Sequence, residues 1–159
     1  MVAPVSSVSP FDAVVRIFHA QGSLRREIDR ELGEAHGISL DDLMILLHLE
    51  AASGRMRRSE LAEHLRESTL TVTRALGPLE RIGLLDRERT SGDPRATYAV
   101  LTTAGFQMAI DARATAEEIS RWWFRRGGPA EGWSPDELRQ LADLLARLGG
   151  EGLPLPEEG

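Results

Sequence analysis

Between residues 61 and 105 the chain reads LAEHLRESTLTVTRALGPLERIGLLDRERTSGDPRATYAVLTTAG: two short amphipathic helical stretches, an alternating segment, a turn, a second alternating segment and another helix. In the first alternating segment Leu85, Arg87 and Arg89 stand between Asp86, Glu88 and Thr90; Ser91-Gly92-Asp93-Pro94 supplies the turn, and Arg95, Thr97, Tyr98 and Val100 follow. Period-two alternation around Gly, Asp and Pro is a strand-turn-strand signal. Helix, turn, helix and arginine-bearing hairpin in that order predict a winged helix-turn-helix lobe.

Helical periodicity organises the rest. Phe11, Val14, Val15, Phe18, Leu24, Ile28 and Leu32 recur at near-helical intervals, which predicts a long first helix ending near Gly37. Ser39 with Asp42 three residues on marks the start of a second helix, stopping around Ser53-Gly54. Ser59 to Leu65 is expected to be the supporting helix, with Leu61, Ala62 and Leu65 inward and His64 in solvent. After Leu101, Thr102 or Thr103 caps a fifth helix that runs to Phe124 and ends at Gly127-Gly128-Pro129. Ser134, Pro135 and Glu137 open a sixth, striped by Leu138, Leu141, Leu145 and Leu148. The expected architecture is mostly α with a small β-wing: a lobe over 39–101, helices 10–36 and 102–148 forming a dimerisation region, and a loose tail over 149–159.

The helix opened by Ser68 carries Thr69, Thr71, Thr73 and Arg74 in its first turns, and short donors there suit a DNA groove. Arg74 reaches either a phosphate or a guanine edge, and the threonines offer methyls to thymine and hydroxyls to bases or phosphates. Ser68 itself is a cap before it is a base reader. Arg95, at the hairpin tip, suits a narrow minor groove; Asp93 is a turn former placed to orient a guanidinium. Arg87 and Arg89 either touch phosphate or pair with their acidic neighbours. Gly77-Pro78 interrupts this helix, so its reading turns are expected before Pro78, with Leu76, Leu79 and Ile82 in the core and Gly83 as the stop.

The residues Ser59-Glu60-Leu61-Ala62, Thr71-Val72-Thr73-Arg74, Leu79-Glu80, Gly83-Leu84, Asp93-x-Arg95 and Leu101-Thr102-x-x-Gly105 together resemble the MarR-type transcription regulators, over roughly residues 10 to 148. The resemblance implies a homodimeric DNA-binding regulator, repressor-like, on a pseudo-palindromic duplex operator, and in many members release by a small ligand or by oxidation. It also implies an effector crevice where the dimer helices meet the winged lobe, often for aromatic acids or phenols. Phe18, His19, Met44 and His48 come from helices expected to line it, although a Met or aromatic at helical spacing is more often plain core.

Composition removes other classes. With 159 residues and 42% hydrophobic content the chain suits one core. It has no cysteine, which excludes disulfides, thiolate metal sites and thiol-based oxidant sensing. His19, His36, His48 and His64 show no ligand spacing, so neither metal nor cofactor is expected. No Ser/His/Asp context, Gly-rich phosphate loop or paired carboxylates point to an enzyme. The opening residues lack the pattern of a signal peptide and no stretch approaches the roughly 20 apolar residues of a membrane span, so a cytoplasmic protein is expected. The net charge of −6 is unevenly spread: residues 54–100 hold nine Arg against seven acids, net +2, and the remainder is −8. That acidity keeps one rival in view, a winged-helix module that binds a protein instead of DNA.

Overall fold

The computed structural model describes residues 8–89, 97–125, 128 and 132–154, with backbone alone for 87–89. Its elements run α1 (Pro10–His36), α2 (Leu40–Ala51), β1 (Arg55–Arg57), α3 (Arg58–Leu65), α4 (Thr69–Arg81), β2 (Leu85–Arg89), β3 (Thr97–Leu101), α5 (Thr103–Phe124) and α6 (Pro135–Arg147). The mostly helical winged fold expected from the sequence is present, and among the described residues no helix is long and apolar enough to cross a membrane.

Local chemistry sets the helix starts. Ser9, Ser39, Ser68, Thr102 and Ser134 each accept a hydrogen bond from the backbone three residues on, relieving an otherwise orphaned donor. At Ser39 and Ser134 the acid at the third helical position closes a full capping box.

Helix α2 is the centre of the core. Leu43, Ile45, Leu46, Leu47, His48 and Leu49 are all buried, so it is enclosed on nearly every side. Polar ties fix its neighbours: the Leu40 N–H donates to Asp29 of α1 at 2.6 Å, and Arg113 of α5 donates to Glu50 at 2.7 Å. His36 of α1 and Thr115 of α5 meet at 2.8 Å.

The sheet has the order β1-β3-β2 and is antiparallel throughout. Its register sets Arg55 opposite Val100 and Arg57 opposite Tyr98, with Asp86 and Glu88 across from the same two β3 residues. Strand β1 was not anticipated, because three residues reading Arg-Met-Arg are too short to show a period.

Two expectations need correction. Ile82 does not pack the core; it is 61% exposed. It is the cap residue of α4, and Gly83 behind it is left-handed at φ 79°, so that the Gly83 N–H reaches Glu80 O and the Leu84 N–H reaches Leu79 O. This Schellman closure turns Leu84, not Ile82, onto the core. Helix α5 ends at Phe124 as expected, where Arg125 turns extended. His64 is exposed yet not simply solvated, since its ring stacks on His48 at 5.4 Å.

The motif Leu101-Thr102-x-x-Gly105 has a steric cause. The Thr102 hydroxyl donates to Gly83 O at 2.7 Å and accepts from the Gly105 N–H at 3.0 Å, which draws the first turn of α5 onto the turn after α4. A Cβ at Gly105 would meet Leu84 O at 2.1 Å. Backbone cannot swing aside as a side chain can, so Gly105→Ala is expected to destabilise the fold by about 3 kcal/mol, read as a lower denaturant midpoint at unchanged slope.

Candidate nucleic-acid interface and adjoining crevice

Helices α3 and α4 meet through a tight turn. Arg66 caps α3 in the left-handed region at φ 55°, and the Glu67 N–H returns to Ala62 O at 2.9 Å. Val72, Leu76 and Leu79 form the buried face of α4 at helical spacing. The opposite strip carries Thr69, Leu70, Arg74, Pro78 and Arg81, all exposed, with Thr73 at its edge half-buried. The structure therefore brings Thr69, Thr73 and Arg74 onto one solvent-facing surface. Ser68 stands at its end but spends its hydroxyl on the Thr71 N–H at 3.1 Å and on the Thr71 hydroxyl at 2.8 Å, the capping role favoured from sequence.

Helix α4 remains continuous through Pro78. What holds its second half is a pair the sequence did not single out: Arg58, 5% exposed at the start of α3, donates to Glu80. Arg58 Nε finds no acceptor among the described residues. Arg58→Ala leaves the Glu80 carboxylate without its partner, and a loss of about 3 kcal/mol is expected in chemical denaturation.

In the wing, Arg87 stands opposite Ala99 and Arg89 opposite Thr97. Asp93 and Arg95 lie outside the described residues. The sheet adds a cluster that sequence reasoning missed. The Arg55 guanidinium lies 3.5 Å from the centre of the Tyr98 ring, and Arg57 Nε donates to the Tyr98 hydroxyl at 3.0 Å. The hydrogen bond from Arg57 is the chief cause that holds the Tyr98 phenol below its usual pKa. Tyr98 is the chain's single tyrosine, the one sign the sequence offered.

Beside this surface lies a cavity of about 430 Å³ between α2 and the α3–α4 pair, lined in part by Met44, His48, His64, Arg66, Thr71 and Ala75. Of the four residues expected at an effector crevice, Met44 and His48 line it. Phe18 and His19 do not; they lie exposed on the first half of α1, and Phe18 is 72% exposed. A second, more apolar cavity of about 450 Å³ lies between α1, α2 and α5, where Ile28, Leu43, Met44 and Leu47 face Arg113. Among the described residues no group of three or more His, Asp or Glu is arranged to hold a metal ion.

His48 is 8% exposed, and burial is the chief cause that lowers its pKa below the ordinary 6.5, followed by repulsion from His64 and opposed by Glu151. The folded state thus favours the neutral imidazole. Its contribution to stability is complete above about pH 6.5 and is lost as pH falls through the lowered folded value. Denaturation midpoints compared at pH 7.5 and 5.5 are expected to fall more steeply in the wild type than in His48→Gln.

Neither a family model nor a curated protein matches the sequence. Solved structures do match. AbsC, a MarR family transcriptional regulator from Streptomyces coelicolor, superposes with a TM-score of 0.72 at 23% identity, covering 89% of this chain and 93% of its own. A mutant MarR from E. coli, complexed with operator DNA, gives 0.72 at 19% identity over 88% and 98%. The organohalide-sensing regulator RdhR-CbdbA1625, in its 2,4-dichlorophenol-bound form, gives 0.75 at 17% identity over 93% and 88%. These neighbours are transcriptional regulators, and over nearly its whole length the chain has the winged helix-turn-helix fold of the MarR-type regulators.

Proposed function

We propose that the chain is a cytoplasmic, homodimeric, sequence-specific DNA-binding regulator of the MarR type, acting as a repressor that a small ligand releases. The observation that carries this reading is the exposed strip Thr69, Leu70, Thr73 and Arg74 on the first half of α4, backed by the buried Val72, Leu76 and Leu79. A helix held so firmly from behind offers a rigid edge to a major groove. Thr69 and Thr73 supply hydroxyls and methyls, and Arg74 a forked donor for a guanine edge or a phosphate. Arg95 enters the adjacent minor groove, and Arg87 and Arg89 contact the backbone beside it.

Two copies are needed to cover what one leaves bare. Phe11, Val14, Ile17 and Phe18 on α1, Leu144 on α6 and Leu148 at its cap are exposed large apolar residues, with Phe11 at 76%. A two-fold dimer through these helices sets two α4 helices about 34 Å apart, one turn of duplex. It also gives Phe18 and His19 a place in the assembly that one copy does not.

The effector is a small aromatic molecule in the His48 cavity. Thr71, Val72 and Ala75 of α4 form part of that cavity's wall, so a ligand there touches the helix that reads DNA. The neighbour solved with 2,4-dichlorophenol supports a phenol-sized occupant. Linkage then requires operator DNA to weaken the effector by the factor the effector weakens DNA.

The test is a titration of purified protein against a duplex from its own upstream region and a scrambled duplex, at two salt concentrations. Selective binding is expected, with a salt slope of about 0.9 per phosphate neutralised, and a loss of about 1–3 kcal/mol in Arg74→Ala or Arg95→Ala. Equal binding of both duplexes, unchanged by either substitution, would move the assignment to a protein-binding winged module.

A further inference from the structure

The last described residues turn back onto the lobe. After α6 the Gly149 N–H donates to Ala146 O and the Gly150 N–H to Leu145 O, both at 2.9 Å, with Gly149 left-handed at φ 89°. Gly149 to Gly152 then form one wall of the His48 cavity, and Glu151 to Pro154 wall an adjoining space of about 350 Å³ with His48, Ala51, Met56 and His64. Leu153 also reaches the apolar cavity beside Met44.

One contact fixes this path. Arg66 Nη2 donates to the Glu151 carboxylate at 2.9 Å. Arg66 is the left-handed residue of the α3–α4 turn, so the tail is tied to the hinge of the reading pair itself. The carboxylate thereby comes close enough to His48 to favour its charged form. Three glycines at 149, 150 and 152 leave the segment slim and conformationally free, and Leu153 is its first bulky side chain. Both partners of the ion pair are 64% exposed, so the tie is weak. A closure of this kind opens readily.

We propose that Gly149–Pro154 is a strap across the His48–His64 crevice, with Glu151 occupying the place an anionic ligand's carboxylate would take, so that such a ligand enters by displacing the strap. The proposal takes from the proposed function only the location of the ligand. Besides Glu151, the charged groups around the cavity are Arg25 of α1, Asp41 of α2, His64 of α3, and Arg66 and Glu67 of the α3–α4 turn. The cationic members lie where a carboxylate's charge is needed, and Met44, Ile45, Val72 and Ala75 supply apolar wall for the body of the same molecule.

The experiment uses the full chain, its Glu151→Gln variant and Asp143→Asn on exposed α6 as control. Without ligand, a pH titration of the imidazole C2–H signals by NMR is expected to show a lower His48 pKa in Glu151→Gln only, and the Gly150 amide, which donates to Leu145 O, is expected to lose protection from exchange in that variant. With benzoate as probe, the apparent affinity is expected to rise by up to about five-fold in Glu151→Gln, the scale of a surface ion pair removed from competition. An unshifted His48 together with an unprotected Gly150 amide in the wild type overturns the strap, whatever DNA does. A shifted His48 with unchanged benzoate affinity overturns the competition. A protein that shows the strap signals but no selective DNA binding overturns the proposed function alone.

Discussion

The pose of α4 depends on the pair between buried Arg58 and half-buried Glu80. Apolar packing of Val72, Leu76 and Leu79 is strong but undirected, and a helix can slide or roll on such a surface at small cost. A guanidinium taken out of water cannot: buried Arg58 must keep its carboxylate, because an uncompensated buried charge is far more expensive than a lost apolar contact. Arg58 opens α3 and Glu80 lies in the last turn of α4, so the pair joins the far ends of the helix-turn-helix and fixes their crossing. Its position also explains how Pro78 is accommodated. Proline withdraws the N–H that the Arg74 carbonyl would accept, at about 3 kcal/mol in a free helix. Here the residues beyond it are secured by Leu79 and Glu80, and the helix stays continuous.

Around that fixed pair, α2 acts as the common wall. Buried on nearly every side, it has no face on which to move independently, and its polar ends are tied to α1 through Asp29 and to α5 through Arg113. A well-packed core helix transmits displacement instead of absorbing it. Met44 borders both cavities and His48 borders the one facing the lobe, so filling either space presses on the same rigid element.

Much of this was legible in the sequence because the relevant signals are local. Ser39 with Asp42, Ser68, Thr102, and Ser134 with Glu137 mark helix starts within a few residues, and the hairpin announces itself by alternation. The strip of α4 was legible for the same reason, since helical spacing alone separates Thr69 and Arg74 from Val72 and Leu76. What escaped depends on contacts across the fold. Arg58 follows Arg57 in sequence, and nothing local separates the arginine that is buried from the one that meets Tyr98. His48 and His64 stand sixteen positions apart and meet only when α3 docks on α2. Ile82 has the right spacing for the core but falls on the cap, where the Schellman turn passes the inward place to Leu84. The return of Gly149–Pro154 rests on Arg66, a contact between residues 85 positions apart.

On the proposed function, DNA reading and ligand sensing would meet at Thr71. Its N–H and its hydroxyl both meet Ser68, which sets the first turn of α4, while its side chain also lines the His48 cavity. A ligand shifts a conformational equilibrium only by the difference in its affinity for the two states. On the proposed function a ligand at Thr71 would have that differential character if it disturbed the Ser68–Thr71 contact, since a lost cap costs on the order of 1 kcal/mol. Doubled over two half-sites, a penalty of that size would change operator affinity by about thirty-fold, since each 1.4 kcal/mol is a factor of ten. Such coupling would need no long pathway through the protein, because Thr71 and Val72 belong both to the cavity wall and to the first turn of α4.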